Sequence, residues 1–132
     1  MTEKLKHCKI LIVEDDLKLQ KILGDKIARE GCEVAVAIDG MEGLRKIEQN
    51  KPNLVLLDLR MPRMSGFEMM TELRKKYEPV ELPVVVLTNY GDDENISRAT
   101  ELKADCFMVK ANYSLSEIVV KIKEVIKKYE RK

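Results

Sequence analysis

The sequence has almost no net charge and no cysteine pattern typical of a metal site. Its 24 basic and 23 acidic residues leave a formal net charge of +1. A charge so near zero produces no overall field that would attract nucleic acid or an anionic membrane. Cys8, Cys32 and Cys106 form no CxxC pair and no zinc spacing. They are typical of unpaired thiols in a reducing cytosol, so we expect a cytoplasmic protein.

Long hydrophobic runs are also missing. The stretch MTEKLKHCKI has no apolar segment long enough for a signal peptide, and no run approaches the length of a transmembrane helix. Internal repeats, low-complexity tracts and Gly/Ser linkers do not occur. A chain of 132 residues is long enough for one core. We therefore predict a single domain over residues 1–132, with a short N-terminal lead at 1–7.

Five short apolar runs, rich in β-branched and aliphatic residues, predict β-strands. They lie at residues 9–13, 33–37, 53–57, 83–87 and 106–109. Amphipathic segments with helical spacing separate them, and the clearest predicts a final helix over about 114–130. This alternation predicts a parallel sheet with helices on both faces, because parallel strands need right-handed crossovers. We expect an α/β flavodoxin-like doubly wound (βα)5 fold with five strands in the order 2-1-3-4-5.

Polar residues directly follow four of the predicted strands. Glu14 and Asp15 follow the first strand, Asp58 the third, Thr88 the fourth and Lys110 the fifth. The carboxyl ends of parallel strands meet at one edge of the sheet, where ligands bind in such folds. Carboxylates gathered there repel one another unless a cation neutralises them. Oxygen ligands without His or Cys suit Mg²⁺, with Mn²⁺ as a second choice.

A carboxylate at the end of a buried strand then has a chemical role. Asp58 is the candidate nucleophile, because a carboxylate can accept a phosphoryl group and form an acyl phosphate. The hydroxyl of Thr88 and the ammonium of Lys110 would hold phosphoryl oxygens. The metal and Lys110 would offset the charge on the transferring group.

Four segments together resemble the receiver domain of two-component response regulators, of the chemotaxis-regulator-like kind. In chain order they are ILIVEDD (10–16), LLDLRMPRMSG (56–66), VVVLTN (84–89) and ADCFMVK (104–110). Their order and separations make the resemblance specific, and it covers nearly the whole chain.

The resemblance implies a role for each residue of the site. Asp58 would receive a phosphoryl group from a phosphohistidine on a sensor histidine kinase or a histidine phosphotransfer protein. Glu14, Asp15, Asp58 and the backbone carbonyl of Arg60 would hold the metal ion. The domain would catalyse its own phosphorylation and dephosphorylation without being a turnover enzyme on an external substrate.

The resemblance also implies how phosphorylation is read out. Thr88 would bond a phosphoryl oxygen, and Phe107 would turn inward as Thr88 moves. Lys110 would pair with another phosphoryl oxygen. The change would reach a downstream protein target through the face of the fourth helix, fifth strand and fifth helix. A homodimer formed on phosphorylation is a further expectation.

Several positions depart from the usual receiver pattern. Ala111 stands where a cis-bonded proline is usual, which predicts a trans peptide because a cis bond to a non-proline residue is costly. Lys103 replaces the glycine that usually ends the fourth helix, which predicts a left-handed backbone. Asn89 is larger than the usual residue and would restrict access to the site. Arg60 and Tyr90 occupy positions that tune hydrolysis of the acyl phosphate, and their bulk predicts a slowed reaction.

Other interpretations stay open at this stage. The acids at 14–16 also suit the N-terminus of a helix. A docking adaptor that works without phosphorylation is one alternative, although intact Asp58, Thr88 and Lys110 argue against it. An aspartyl-nucleophile phosphatase of the haloacid dehalogenase type needs a DxD pattern after its first strand, and EDD does not supply it. We expect no membrane contact and no direct nucleic-acid contact, with no residues after the final helix for an output domain.

Overall fold

Five parallel strands form the centre of the structure, a computed structural model that describes residues 8–130. The strands are β1 (Lys9–Val13), β2 (Glu33–Ala37), β3 (Leu54–Leu57), β4 (Val84–Thr88) and β5 (Cys106–Val109). The helices are α1 (Leu17–Ala28), α2 (Gly40–Gln49), α3 (Gly66–Lys76), α4 (Asp93–Glu101) and α5 (Leu115–Glu130), and a short 3₁₀ turn, Lys110–Asn112, precedes α5. The strand order is β2-β1-β3-β4-β5, so the predicted fold and strand order are confirmed. The predicted N-terminal lead at 1–7 lies outside the described residues.

An apolar layer covers each face of the sheet. Along β1, Ile10 and Ile12 belong to the layer that also contains buried residues of α1 and α5. Leu11 and Val13 belong to the opposite layer, with buried residues of α2, α3 and α4. Successive side chains of a strand point to opposite faces, so a strand covered on both faces is apolar at most of its positions. This explains the uniform apolar runs of β1, β3 and β4, whereas β2, at the edge, is only partly buried.

Three strand boundaries differ from the predicted ones. β3 begins at Leu54 and β4 at Val84, one residue later than predicted, and β4 continues to Thr88. Pro83 has no N–H to donate, so it precedes the ladder of β4. The extension to Thr88 places a polar side chain, fully buried, as the last residue of a central strand.

Local hydrogen bonds fix where helices begin. Ser65 and Glu68 form a capping box at the start of α3. At α5, the N–H of Glu117 donates to the Ser114 hydroxyl at 3.1 Å, and the N–H of Ser114 donates to Glu117 at 2.8 Å. Each pair satisfies two of the N–H groups that a helix start leaves free.

The backbone bears out two expectations. No cis peptide bond occurs among residues 8–130, so the bond to Ala111 is trans as predicted. Lys103 has a φ of 60°, the left-handed conformation predicted for it. In the same part of the chain, no helix is both long and apolar enough to cross a bilayer.

Candidate functional site

The carboxyl edge of the sheet brings acidic side chains from two strands together. Glu14 follows β1 directly and Asp58 follows β3 directly, and these two strands are neighbours. Asp15 lies in the same loop as Glu14. One carboxylate oxygen from each of the three acids can be chosen so that all lie within 4.8 Å of one another. Glu14 and Asp58 are buried, whereas Asp15 is exposed.

Lys110 bridges the two buried acids. Its Nζ atom lies 2.8 Å from Glu14 Oε1 and 3.2 Å from Asp58 Oδ2, although Lys110 comes from the end of β5. Burial lowers the pKa of Lys110, but its hydrogen bond to Glu14 and the charge of Asp58 outweigh burial and raise that pKa. The ammonium therefore stays charged beside the two carboxylates.

One ammonium does not balance three carboxylates. Burial raises the pKa of Glu14 and the charge of Asp58 adds to the effect, while Lys110 and the N–H of Asp16 oppose it. Among the described residues, the Oδ1 atom of Asp58 is buried without a hydrogen-bond partner. A buried carboxylate oxygen without a partner is costly unless a cation or a donor meets it. The edge of the sheet therefore carries unmet negative charge.

These features fit a hard divalent cation. Mg²⁺ and Mn²⁺ prefer carboxylate and carbonyl oxygens, and the three acids supply such oxygens within a short distance of each other. Glu14, Asp15 and Asp58 are the residues that would hold the ion, with the Arg60 carbonyl following Asp58 in the next loop. A bound cation would stabilise above all the Asp58 Oδ1 atom, which has no hydrogen-bond partner among the described residues.

The acids at 14–16 divide their roles. Asp16 caps α1, because its Oδ1 atom accepts from the N–H groups of Lys18 and Leu19 at 3.1 and 3.2 Å. Capping was one interpretation of this acidic run, and it applies to Asp16. Glu14 has a different environment, since its Oε2 atom accepts from the N–H of Asp16 at 3.1 Å while Oε1 contacts Lys110.

A buried glutamine that the sequence interpretation missed supports the loop after β1. The side-chain amide of Gln20 donates to the carbonyls of Glu14 and Ala37 at 3.0 and 3.1 Å. It thereby joins the carboxyl ends of β1 and β2. Gln20 lies at helical spacing from the buried Leu23 and Ile27, so a polar residue on that apolar stripe was the available signal.

The two predicted switch residues lie on neighbouring strands. Thr88 ends β4 with no exposed surface, and its hydroxyl accepts from the N–H of Tyr90 at 3.3 Å. Phe107 lies on β5, opposite Val86, and packs against the apolar layer of α2, α3 and α4 while staying half-buried. The Phe107 ring is therefore partly in contact with solvent and partly packed on the apolar layer.

The three predicted rate-tuning residues are exposed. Arg60 and Tyr90 belong to different loops, yet the Arg60 guanidinium lies over the Tyr90 ring, 4.2 Å from its centroid. Asn89 lies between Thr88 and Tyr90 with its side chain toward solvent. The loops after β3 and β4 are thus joined by a stack of side chains.

The fold and its acidic edge define a class, the CheY-like domains built on a flavodoxin-type sheet. The family model for the response regulator receiver domain matches residues 10–123. The chain belongs to this family.

The chain is also similar to individual response regulators. Response regulator RR06 of Streptococcus pneumoniae is 36% identical over 120 residues, which are 91% of this chain and 54% of that protein. The alkaline phosphatase synthesis transcriptional regulatory protein PhoP of Bacillus subtilis is 32% identical over 122 residues, 92% of this chain and 50% of the relative. A solved CheY-like receiver domain protein from Methanospirillum hungatei superposes with a TM-score of 0.87 at 31% identity, covering 94% of this chain and 97% of that one. The chain spans about half the length of the curated relatives it matches.

Proposed function

We propose that this receiver domain is the phosphoacceptor of a two-component phosphorelay and that Asp58 carries the phosphoryl group. The donor would be a phosphohistidine on a sensor histidine kinase or a histidine phosphotransfer protein. The observation that carries the proposal is the environment of Asp58. It directly follows a fully buried strand; one of its oxygens is bound by Lys110 at 3.2 Å, and the other has no hydrogen-bond partner among residues 8–130.

The proposed reaction exchanges one bond for another. A carboxylate oxygen of Asp58 forms a P–O bond while the P–N bond of the phosphohistidine breaks, and the electron pair of that bond returns to the imidazole nitrogen. The products are an acyl phosphate and a free histidine. β3 holds the carboxylate rigidly, which lowers the entropic cost of aligning it with the phosphorus.

Charge compensation favours the same residues. Bound Mg²⁺ or Mn²⁺ would supply positive charge against the transferring group. Glu14, Asp15, Asp58 and the Arg60 carbonyl are the groups proposed to hold the ion. Lys110, already paired with Asp58, would contact a phosphoryl oxygen through the same ammonium.

Thr88 would bind a second phosphoryl oxygen. Its hydroxyl oxygen accepts a hydrogen bond from the N–H of Tyr90, so its own hydrogen is available to donate. A shift of the Thr88 side chain toward the phosphoryl group would leave space beside β5. The Phe107 ring would turn inward into that space. The half-buried position of Phe107 supports this proposal.

The output surface proposed here is the face formed by α4, β5 and α5. Two aliphatic residues on its helices are exposed, Ile96 at 38% and Val120 at 49%. Exposed apolar residues on a switching face suit a protein target, or a second copy of the chain in a phosphorylation-dependent homodimer. With a net charge of +1, the chain itself would contact protein rather than nucleic acid or membrane.

Action on transcription would belong to the whole protein. PhoP is named as a transcriptional regulatory protein, and this chain corresponds to half of its length. We propose that the receiver controls such an activity and does not turn over an external substrate. The cytoplasmic location expected from the sequence stays a prediction.

Intact-mass analysis tests the phosphoacceptor. Wild type incubated with Mg²⁺ and acetyl phosphate is expected to gain one phosphoryl adduct, and Asp58→Asn is expected to gain none. Asp25→Asn is the matched control, since it removes an exposed carboxylate of α1 that forms an ion pair with the exposed Lys21 at 3.4 Å. An adduct of equal yield on Asp58→Asn would remove Asp58 from its proposed role.

A further inference from the structure

The loop between β3 and α3 is tied to the start of α2 by an ion pair. The Nε atom of Arg63 lies 2.5 Å from Asp39 Oδ2. The Asp39 side chain is only 4% exposed, whereas that of Arg63 is 56% exposed. N–H groups at the start of α2 also meet the Asp39 carboxylate, so Arg63 adds a charge-assisted contact to a group that is already hydrogen-bonded. This contact ties the loop that carries Arg63 to the start of α2.

A second contact lies beside the ion pair. The N–H of Gly40 donates to the carbonyl of Met64 at 3.1 Å. A Cβ atom at Gly40 would lie 3.0 Å from that carbonyl oxygen and 2.7 Å from Met64 Cγ, so this approach needs glycine. Asp39 also caps α2 through its Oδ1 atom, which accepts from the N–H of Glu42 at 2.8 Å. The loop is thus held against a helix start that is itself well fixed.

Arg63 has a strained backbone. Its φ is 65°, a left-handed conformation that side chains other than glycine rarely adopt. Glycine would make this turn without strain, so an arginine here is explained by what its guanidinium contacts. The N–H of Glu42 and the Arg63 guanidinium hold the pKa of Asp39 below its ordinary value against the opposing effect of burial.

The other end of the same loop meets the phosphorylation site. Asp58 precedes it, and the N–H of Gly66 closes it by donating to the Leu59 carbonyl at 2.8 Å. A Cβ atom at Gly66 would lie 2.2 Å from the Asp58 carbonyl oxygen, so α3 begins directly against the residue that carries the nucleophile. The Arg60 carbonyl lies within this short, doubly anchored loop.

We propose that Asp39 and Arg63 are positioning residues of the phosphorylation site, whose ion pair fixes the β3–α3 loop and with it the Arg60 carbonyl and Asp58. The inference rests on the proposed function, in which that carbonyl and the carboxylates hold Mg²⁺ or Mn²⁺. Neither side chain touches a reacting atom. Their effect is to lower the rearrangement that the loop must undergo when a divalent ion binds, as residues around metal ligands commonly do.

Titration of the metal-free protein with Mg²⁺ by calorimetry, and with Mn²⁺ by electron paramagnetic resonance, tests the proposal without any reaction. Asp39→Asn keeps an oxygen that can cap α2 but removes the charge, and Arg63→Gly removes the guanidinium and relaxes the backbone. Each change is expected to weaken binding of both ions roughly tenfold. The double variant is expected to bind no more weakly than either single variant, because all three lack the same ion pair.

Two further variants make the outcome decisive. Arg45→Ala removes a more exposed ion pair of α2, in which Arg45 lies 3.6 Å from Glu42, and is expected to bind Mg²⁺ as wild type does. Unchanged metal affinity in Asp39→Asn and Arg63→Gly, with only the melting temperature lowered, would overturn the proposal and leave the ion pair a purely structural role. Asp15→Asn distinguishes a failure of this proposal from a failure of the proposed function. If this variant binds Mg²⁺ as wild type does, the assignment of the metal site itself is wrong.

Discussion

Arg60 and Tyr90 show how two side chains from different loops come to act together. Each follows a strand-end residue of the site by two positions, Arg60 after Asp58 and Tyr90 after Thr88. The Arg60 guanidinium lies 4.2 Å from the centroid of the Tyr90 ring, within the range of a cation–π contact. Such a contact at an exposed site contributes about 0.5–1 kcal/mol. Both side chains are exposed, so the stack lies between solvent and the loops that flank Asp58.

We predict that this stack slows hydrolysis of the acyl phosphate on Asp58. Arg60→Ala and Tyr90→Ala are each expected to speed phosphate release by roughly two- to fivefold, the factor that corresponds to about 0.5–1 kcal/mol. A phosphate-release time course measures the rates. Because either change removes the whole stack, the double variant should be no faster than the single ones.

The control for this prediction is Tyr113→Ala, which removes another exposed tyrosine, one outside the stack. Its release rate should equal that of wild type. If the rate increase of the double variant equals the product of the two single increases, Arg60 and Tyr90 act separately and the prediction is contradicted.

At the scale of elements, Arg74 joins α3 to the ends of two other elements. Its side chain is 9% exposed. It donates to the carbonyls of Leu102 at 2.9 Å, Lys103 at 3.0 Å and Leu82 at 2.8 Å. The first two carbonyls belong to the end of α4, so Arg74 satisfies acceptors that a helix C-terminus leaves free. This contact accompanies the left-handed backbone of Lys103.

Asp105 ties the same region to α5. One carboxylate oxygen accepts from the N–H of Val84 at 3.1 Å, and the other accepts from the hydroxyl of Tyr129. Burial and the hydrogen bond to Asp105 raise the pKa of Tyr129 to about 12. An unfolded tyrosine has a pKa of about 10. The folded state therefore keeps a proton that the unfolded state loses between these two values.

We predict that alkaline pH weakens the attachment of α5. Stability from the Tyr129 phenol is fully present below about pH 10 and is lost as pH rises toward about 12, because only the unfolded state releases the proton in that window. The free energy of unfolding, measured by urea denaturation across this range, should fall more steeply in wild type than in Tyr129→Phe. Tyr113→Phe is the control and should keep the wild-type slope. Equal slopes in wild type and Tyr129→Phe would contradict the assigned coupling.

The strands and the loops that join them differ in how far the sequence predicts them. β1, β2 and β5 were predicted to the residue, because each apolar run is bounded by polar or turn-forming residues. The convergence of Glu14, Asp58 and Lys110 was predictable too, since each directly follows a strand of one parallel sheet. The ion pair of Asp39 and Arg63 was not, because its partners are 24 positions apart and no local pattern connects them. Contacts between loops depend on tertiary packing, whereas strand ends depend on local patterns.

In the molecule as a whole, the carboxyl edge of the sheet is a locally destabilising region. Three carboxylates face one ammonium, and a buried oxygen of Asp58 lacks a partner among the described residues. The two apolar layers and the continuous β-ladder hold this edge in place. Sites that depart from local stability in this way are typical of functional regions supported by a well-packed remainder.

This arrangement predicts that Asp58→Asn is more stable than wild type without metal and less stable with it. In EDTA, the change removes a like charge next to Glu14 and Asp15, and Lys110 keeps its contact with Glu14 at 2.8 Å. We expect the free energy of unfolding to rise by about 1 kcal/mol, the size of a typical single-residue effect. Mg²⁺ at one hundred times its dissociation constant would add about 2.7 kcal/mol to the free energy of unfolding of wild type. It would add much less to that of the variant, which lacks one ligand charge, so wild type becomes the more stable protein.

Urea denaturation in EDTA and in Mg²⁺ measures both free energies of unfolding, and Asp25→Asn is expected to follow wild type in each condition. An Asp58→Asn protein that is less stable than wild type in EDTA would show that the unpartnered carboxylate does not strain the fold.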